Sequence, residues 1–231
     1  LESHSQEREE AFRARGYNAD RILPFWLEIR ALAALGRLSE IQPLLDESQR
    51  LGWTPEVNPG LILVRAAEEL QAHGDSAGAQ EVVAQFPAWF DSLDPQQKAR
   101  PDLRVLMGRA HDLAGRFDEA RQLFAELRTA MMANPVPVRY LGTIAARTGD
   151  PEGARAYSRE LDGMNGLHLL GQHTLGMAAI AARLGEREEA VALLRRAVSE
   201  GVRFGTILHS DPDLLVLADY APFQAFMRPD A

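Results

Sequence analysis

Five glycines, Gly36, Gly74, Gly115, Gly149 and Gly185, punctuate this chain at intervals of 38, 41, 34 and 36 residues. The same offsets around each carry small or apolar side chains. Seven residues before the glycine stand Ile29, Ala67, Gly108, Gly142 and Ala178, and four before stand Leu32, Leu70, His111, Ala145 and Ala181. Five residues after come Ile41, Ala79, Ala120, Ala154 and Ala190, and nine after come Leu45, Val83, Phe124, Ser158 and Leu194. These offsets fall on one stripe of each of two amphipathic helices joined at the glycine. The repeating unit is therefore a helical hairpin, and the alanine-rich column marks where neighbouring helices approach too closely for a larger side chain.

Composition narrows what such a stack can do. Hydrophobic residues make up 46% and charged residues 25% of 231, a balance that supports a continuous core rather than disorder. No apolar run reaches the length of a membrane span, so membrane insertion is not expected. The net charge of −8 argues against non-specific nucleic-acid binding. Cysteine is absent, which removes disulfides and thiolate chemistry and leaves the compartment open, with the cytoplasm favoured. Lys98 is the sole lysine among 25 basic residues, a bias towards arginine that fits GC-rich coding.

The columns resemble the tetratricopeptide repeat. Met107-Gly108, Gly115, Ala120 and Phe124 follow its pattern well, as do Leu141-Gly142, Gly149 and Ala154; Met177-Ala178, Gly185 and Ala190 follow it moderately. The units around Gly36 and Gly74 diverge, with Glu28 at a normally apolar position, and none of the five has the family's early tryptophan. Over residues 21–201 the resemblance implies an all-α, right-handed α-solenoid of about five hairpins with C-terminal capping helices. It also implies a protein-binding scaffold.

Boundaries follow from the same reading. Residues 1–17 form a polar tail or the end of a preceding repeat, residues 18–201 the array, and residues 202–231 a cap. Pro24 belongs near the opening turn of the first helix. Thr54-Pro55 and Asp150-Pro151 each place a capping side chain before a proline at a helix start. The longer intervals predict extra loop residues at 52–60 and 92–101, and Asp162 to Gly166 predicts a turn. In the tail, Leu214, Leu215, Leu217, Phe223 and Phe226 are positioned to cover the last apolar face. This tail resembles the closing segment of many bacterial tetratricopeptide proteins, including regions attached to kinases or transcriptional regulators. Such a resemblance implies a bacterial, multidomain parent.

No constellation carries catalytic chemistry, and no cofactor or metal is expected. His168 and His173 are five apart, which misses the spacing that puts two imidazoles on one helix face. His111 sits at a packing position. In His209-Ser210-Asp211 adjacent residues cannot converge as a triad, and Ser210 or Asp211 reads instead as a helix cap before Pro212. Asp118-Glu119 and Glu188-Glu189 fall in the first turns of second helices, where acidic side chains suit the helix dipole.

The tetratricopeptide resemblance implies that the first helix of each hairpin lines a concave groove. Positions two to thirteen residues before the turn glycine then face it: Trp26 and Arg30; Val64, Glu68 and Gln71; Val105, Arg109 and Asp112; Arg139, Thr143 and Arg147; Gln172, Leu175 and Arg183. Five arginines on this face make a locally positive groove suited to carboxylates, unless Glu68 and Asp112 pair with Arg30 or Arg109. The functional expectation is a non-catalytic scaffold binding a protein or peptide partner, with acidic segments preferred. Its alternative is a regulatory or self-associating domain of a larger bacterial signalling or transcription-regulating protein.

Overall fold

A computed structural model describes residues 19–50, 58–166, 169–205 and 207–228, and every described regular element is helical. Two compact units divide the chain, residues 1–98 and 99–231. In the first, α1 (Ala19–Ala34), α2 (Ile41–Arg50), α3 (Pro59–Ala72) and α4 (Ser76–Val83) are followed by the short α5 (Phe86–Asp91) and α6 (Pro95–Lys98). In the second, three hairpins follow one another: α7 (Pro101–Leu113) with α8 (Phe117–Ala130), α9 (Pro135–Arg147) with α10 (Pro151–Asp162), and α11 (Gln172–Arg183) with α12 (Arg187–Ser199). The chain then runs through α13 (Ile207–Ser210), a 3₁₀ turn at Leu215–Leu217, and α14 (Ala221–Met227).

All five turn glycines adopt positive φ, between 69° and 86°. At Gly115 the amide donates to the Asp112 carbonyl at 3.1 Å, and the next amide, of Arg116, reaches back to the His111 carbonyl at 2.9 Å. This left-handed closure satisfies carbonyls the helix end leaves over, and a Cβ at that φ is strained. The same pair of bonds recurs at the other four glycines, so one local device builds every hairpin.

Side-chain size sets the stacking. A Cβ on Gly108 would lie 2.6 Å from the Phe124 ring, and one on Gly142 only 2.3 Å from the Ile180 Cδ1. Ala120, Ala154 and Ala190 are fully buried, as are Ala67 and Ala178. In the second unit α9 packs on α8, α10 and α11, so this first helix meets its own partner and both neighbouring hairpins. Phe124 stacks on Tyr140 with ring centroids 4.6 Å apart and planes 3° from parallel, joining α8 to α9. In the first unit Trp89 fills the space above Gly60 and meets Phe86 edge to face at 5.2 Å.

Helix starts follow the cap chemistry. Asp150 accepts from the Gly153 amide at 2.9 Å with Pro151 in the first turn, and Asp75 does the same for Gly78. Asp118-Glu119 and Glu188-Glu189 occupy the first turns of α8 and α12. Pro24 lies inside α1. Residues 92–101, expected as loop, contain α6, because Asp94 and Gln97 cap each other's backbone amides and start a helical turn. Thr54-Pro55, His168 and residues 1–17 lie outside the described residues.

The segment after Gly201 closes the last hairpin. Leu208, Leu214, Leu217 and Phe223 are buried in one cluster with Leu175 and Leu194, and Phe226 packs at its edge.

Candidate functional site

Stacking puts arginines and an aspartate of α7, α9 and α11 within reach of one another and of the C-terminal segment. Arg139 lies in the second turn of α9, Arg147 is its last residue, and Arg183 is the last residue of α11. Both terminal arginines suit the negative end of their helix. The chain's own Asp211-Pro212-Asp213 turn faces all three. Arg139 donates to Asp211 Oδ2 at 2.5 Å and stands 3.6 Å from Asp213. Arg183 donates through Nε to Asp213 Oδ1 at 2.8 Å and through its terminal nitrogen to the Pro212 carbonyl at 2.9 Å. Arg147 donates to both oxygens of Asp112 on α7, and is 3.6 Å from Asp213.

The turn is built for this. Asp211 Oδ1 accepts from the Asp213 amide at 3.1 Å, and the Asp211 carbonyl accepts from Leu214 and Leu215. Leu208 and Leu214, buried on either side, pin it in place. Asp211 therefore closes the turn that precedes the 3₁₀ segment, rather than capping a helix.

The cluster is largely buried and balanced in charge. The three arginine side chains are 14–17% exposed, and the Asp112, Asp211 and Asp213 side chains 3–7%. Burial pushes the Asp112 carboxyl up to about 6; Arg147 opposes the rise and the nearby Asp213 charge adds to it. Burial also pushes Asp213 up, but Arg147, Arg139 and Arg183 outweigh it and hold its carboxyl below the usual range. The locally positive face expected from the arginines is thus neutralised. Two of its three carboxylates arrive from a segment whose partnership with α9 and α11 has no local signal.

The remaining groove candidates have separate settings. Arg109 is buried on α7, two turns ahead of the Gly115 closure. Val105 packs against the cluster of Phe124, Leu127 and Leu141. Thr143 is fully buried, its hydroxyl donating to the Tyr140 carbonyl at 3.3 Å. Leu175 is buried in the C-terminal cluster.

In the first unit Arg30 donates to Glu69 at 2.6 Å and lies over the half-buried Trp26 ring at 5.2 Å. Glu68 pairs with Arg65 at 2.8 Å, and Asp112 with Arg147. Val64 and Glu68 are buried, since α3 packs on α1, α2, α4 and α5 and has little free face.

Other concavities offer less chemistry. A recess of about 340 Å³ is lined by Arg121, Leu141, Ala145, Thr148, Asp150 and Tyr157. Asp150 is committed to its helix cap there, and Arg121 to Thr148 and Asp118. His111 is half-buried at its packing position, where burial and Arg116 hold its imidazole below the ordinary range. Among the described residues no three His, Asp or Glu side chains converge as metal ligands, and no helix is long and apolar enough to cross a membrane.

Residues 101–126 and 171–196 match the family model described as tetratricopeptide repeat. Comparison with curated proteins gives no match. The two matched segments are α7 with most of α8 and α11 with most of α12, hairpins that share the glycine closure and small-residue columns. These two matches support assigning the chain to the tetratricopeptide-repeat family.

Proposed function

We propose that this chain is a non-catalytic scaffold that receives a segment of a protein partner on the inward face of its first helices, with carboxylate-bearing segments preferred. Repeats of this family generally mediate protein–protein interaction. The observation that carries the preference for carboxylates is the convergence of Arg139, Arg147 and Arg183 on one carboxylate-bearing turn. Planar guanidinium groups fixed by helix ends favour paired oxygen acceptors over any other side-chain chemistry. Arg109 and Thr143 belong to the same row of first-helix positions, with Val105 as the apolar contact. In residues 1–98, Trp26 with Arg30 offers a separate aromatic and cationic pair of the kind that anchors partner side chains.

The test is an array of acidic and basic peptides probed with the full chain, with Arg109→Glu plus Arg139→Glu as control and circular dichroism to check folding. Acidic peptides are expected to be retained selectively and lost in the double variant. Equal retention of both charge classes would sink the proposal.

A further inference from the structure

We propose that the Asp211-Pro212-Asp213 turn is a built-in occupant of the arginine face of residues 99–231, and that an acidic partner segment gains this face by taking the turn's place. The inference rests on the groove reading above and adds its regulation.

Three observations carry it. First, the turn behaves as a ligand would: two carboxylates and one carbonyl, presented within three residues, meet guanidinium groups from two helices. Second, the face cannot stand empty. Without the turn, three largely buried cations would share the single carboxylate of Asp112, and uncompensated buried charge is strongly unfavourable. A neutral or basic segment leaves the same deficit. An acidic segment restores each pair, so the ionic contributions nearly cancel in the exchange. What is then lost is the turn's own hydrogen bonds, from the Asp213, Leu214 and Leu215 amides, and part of the burial of the flanking Leu208 and Leu214. Third, the turn is tethered. Leu217 and Phe223 hold the chain beyond it in the apolar cluster, so a displaced turn stays close and competes at the high effective concentration of an intramolecular ligand. Such competition makes the face selective, because only a segment with well-spaced carboxylates can displace the turn.

The experiment uses the full chain and a labelled peptide, Ser-Asp-Pro-Asp-Leu-Leu, copied from residues 210–215, with its di-Asn counterpart as control. Binding is read by fluorescence anisotropy, and the amides of residues 211–215 by hydrogen exchange. Asp211→Asn plus Asp213→Asn is expected to bind the acidic peptide roughly tenfold or more tighter than the wild-type chain. In the wild type, saturating acidic peptide is expected to accelerate exchange at 211–215, and the di-Asn peptide to do nothing. Equal affinity for wild type and variant, with exchange at 211–215 unchanged, overturns self-occupancy while leaving the groove reading intact. Absence of binding to either protein overturns both. If the double variant does not fold, the wild-type exchange measurement decides alone, and unchanged protection at millimolar peptide counts against the proposal.

Discussion

One guanidinium nitrogen of Arg147 donates to both carboxylate oxygens of Asp112, at 2.5 and 2.7 Å. Asp213 approaches the same nitrogen to 3.6 Å. Two acids thus share one cation, and they respond to the shared site in opposite directions.

That opposition predicts a pH signature. The Asp112 carboxyl rises from 3.8 to about 6 in the folded chain, so folding takes up a proton between those values. Its contribution to stability therefore falls as pH rises through that window. Asp213 is held below 3.8, so its contribution is present above 3.8 and is lost as pH falls through its lowered folded value. Urea unfolding from pH 4 to pH 7 is expected to show wild type losing stability relative to Asp112→Asn, by on the order of 1–3 kcal/mol. Parallel profiles would rule out Asp112 as the titrating group.

Burial should separate two ion pairs that look alike on paper. Asp213→Ala removes the carboxylate partner of Arg183 and weakens the settings of Arg139 and Arg147, and is expected to cost about 3–5 kcal/mol. Asp219 also pairs with an arginine, Arg187, but its side chain is 78% exposed. Asp219→Ala should cost about 0–1 kcal/mol. Comparable losses for the two variants in denaturant unfolding would refute the ranking.

Two glycines seven residues apart predict losses of different origin. Gly108→Ala drives a Cβ into the Phe124 ring, which is fully buried and cannot swing away from Tyr140. Overpacking of this kind costs about 1–3 kcal/mol. At Gly115 a Cβ meets nothing within 4 Å, yet φ is +73°, so Gly115→Ala should cost about 1–2 kcal/mol through the backbone alone. Pairing Gly108→Ala with Phe124→Leu should recover part of the first loss. The same second change should recover none of the second.

Capping offers a local check. A Cβ on Gly153 would fall 2.1 Å from the Asp150 carboxylate, and one on Gly78 2.2 Å from that of Asp75. Gly153→Ala is therefore expected to push the cap aside and cost as much as Asp150→Ala, about 0.5–2 kcal/mol. The double variant should be no worse than either single one. Additive losses in thermal unfolding would contradict a shared cause.

The hairpins were legible because their determinants are local. Gly115 with Ala120, or Asp150 with Pro151, states its role within a few residues. Helix period then assigns Ala154 and Ala190 to the stacking face without any tertiary knowledge. The charge state of the arginine cluster was not legible, because Arg139 meets Asp211 across 72 residues. Nothing near Asp211 distinguishes a turn-closing residue from a counterion, and it serves as both. A physical argument was nonetheless available: inward arginines require counter-charge when buried, and Asp211 and Asp213 stand together in the segment that had to close the array. Val64 and Glu68 escaped for another reason. Helical offsets assign a side chain to a face, but how far that face is covered depends on what packs there, here the first helix together with α2 and α5.

The acidic turn also limits how this protein can change length. A stack of like hairpins is in principle extensible, one unit at a time. Here Asp112 belongs to α7, Arg147 to α9 and Arg183 to α11, while the turn that joins the last two follows all three hairpins. Duplicating a hairpin between α10 and α11 would carry Asp213 away from Arg147 and Arg139, leaving basic side chains inside without their acids. Lineages descended from this chain can therefore lengthen ahead of α7 with little consequence for the cluster. Insertions after α7 must bring new counterions with them.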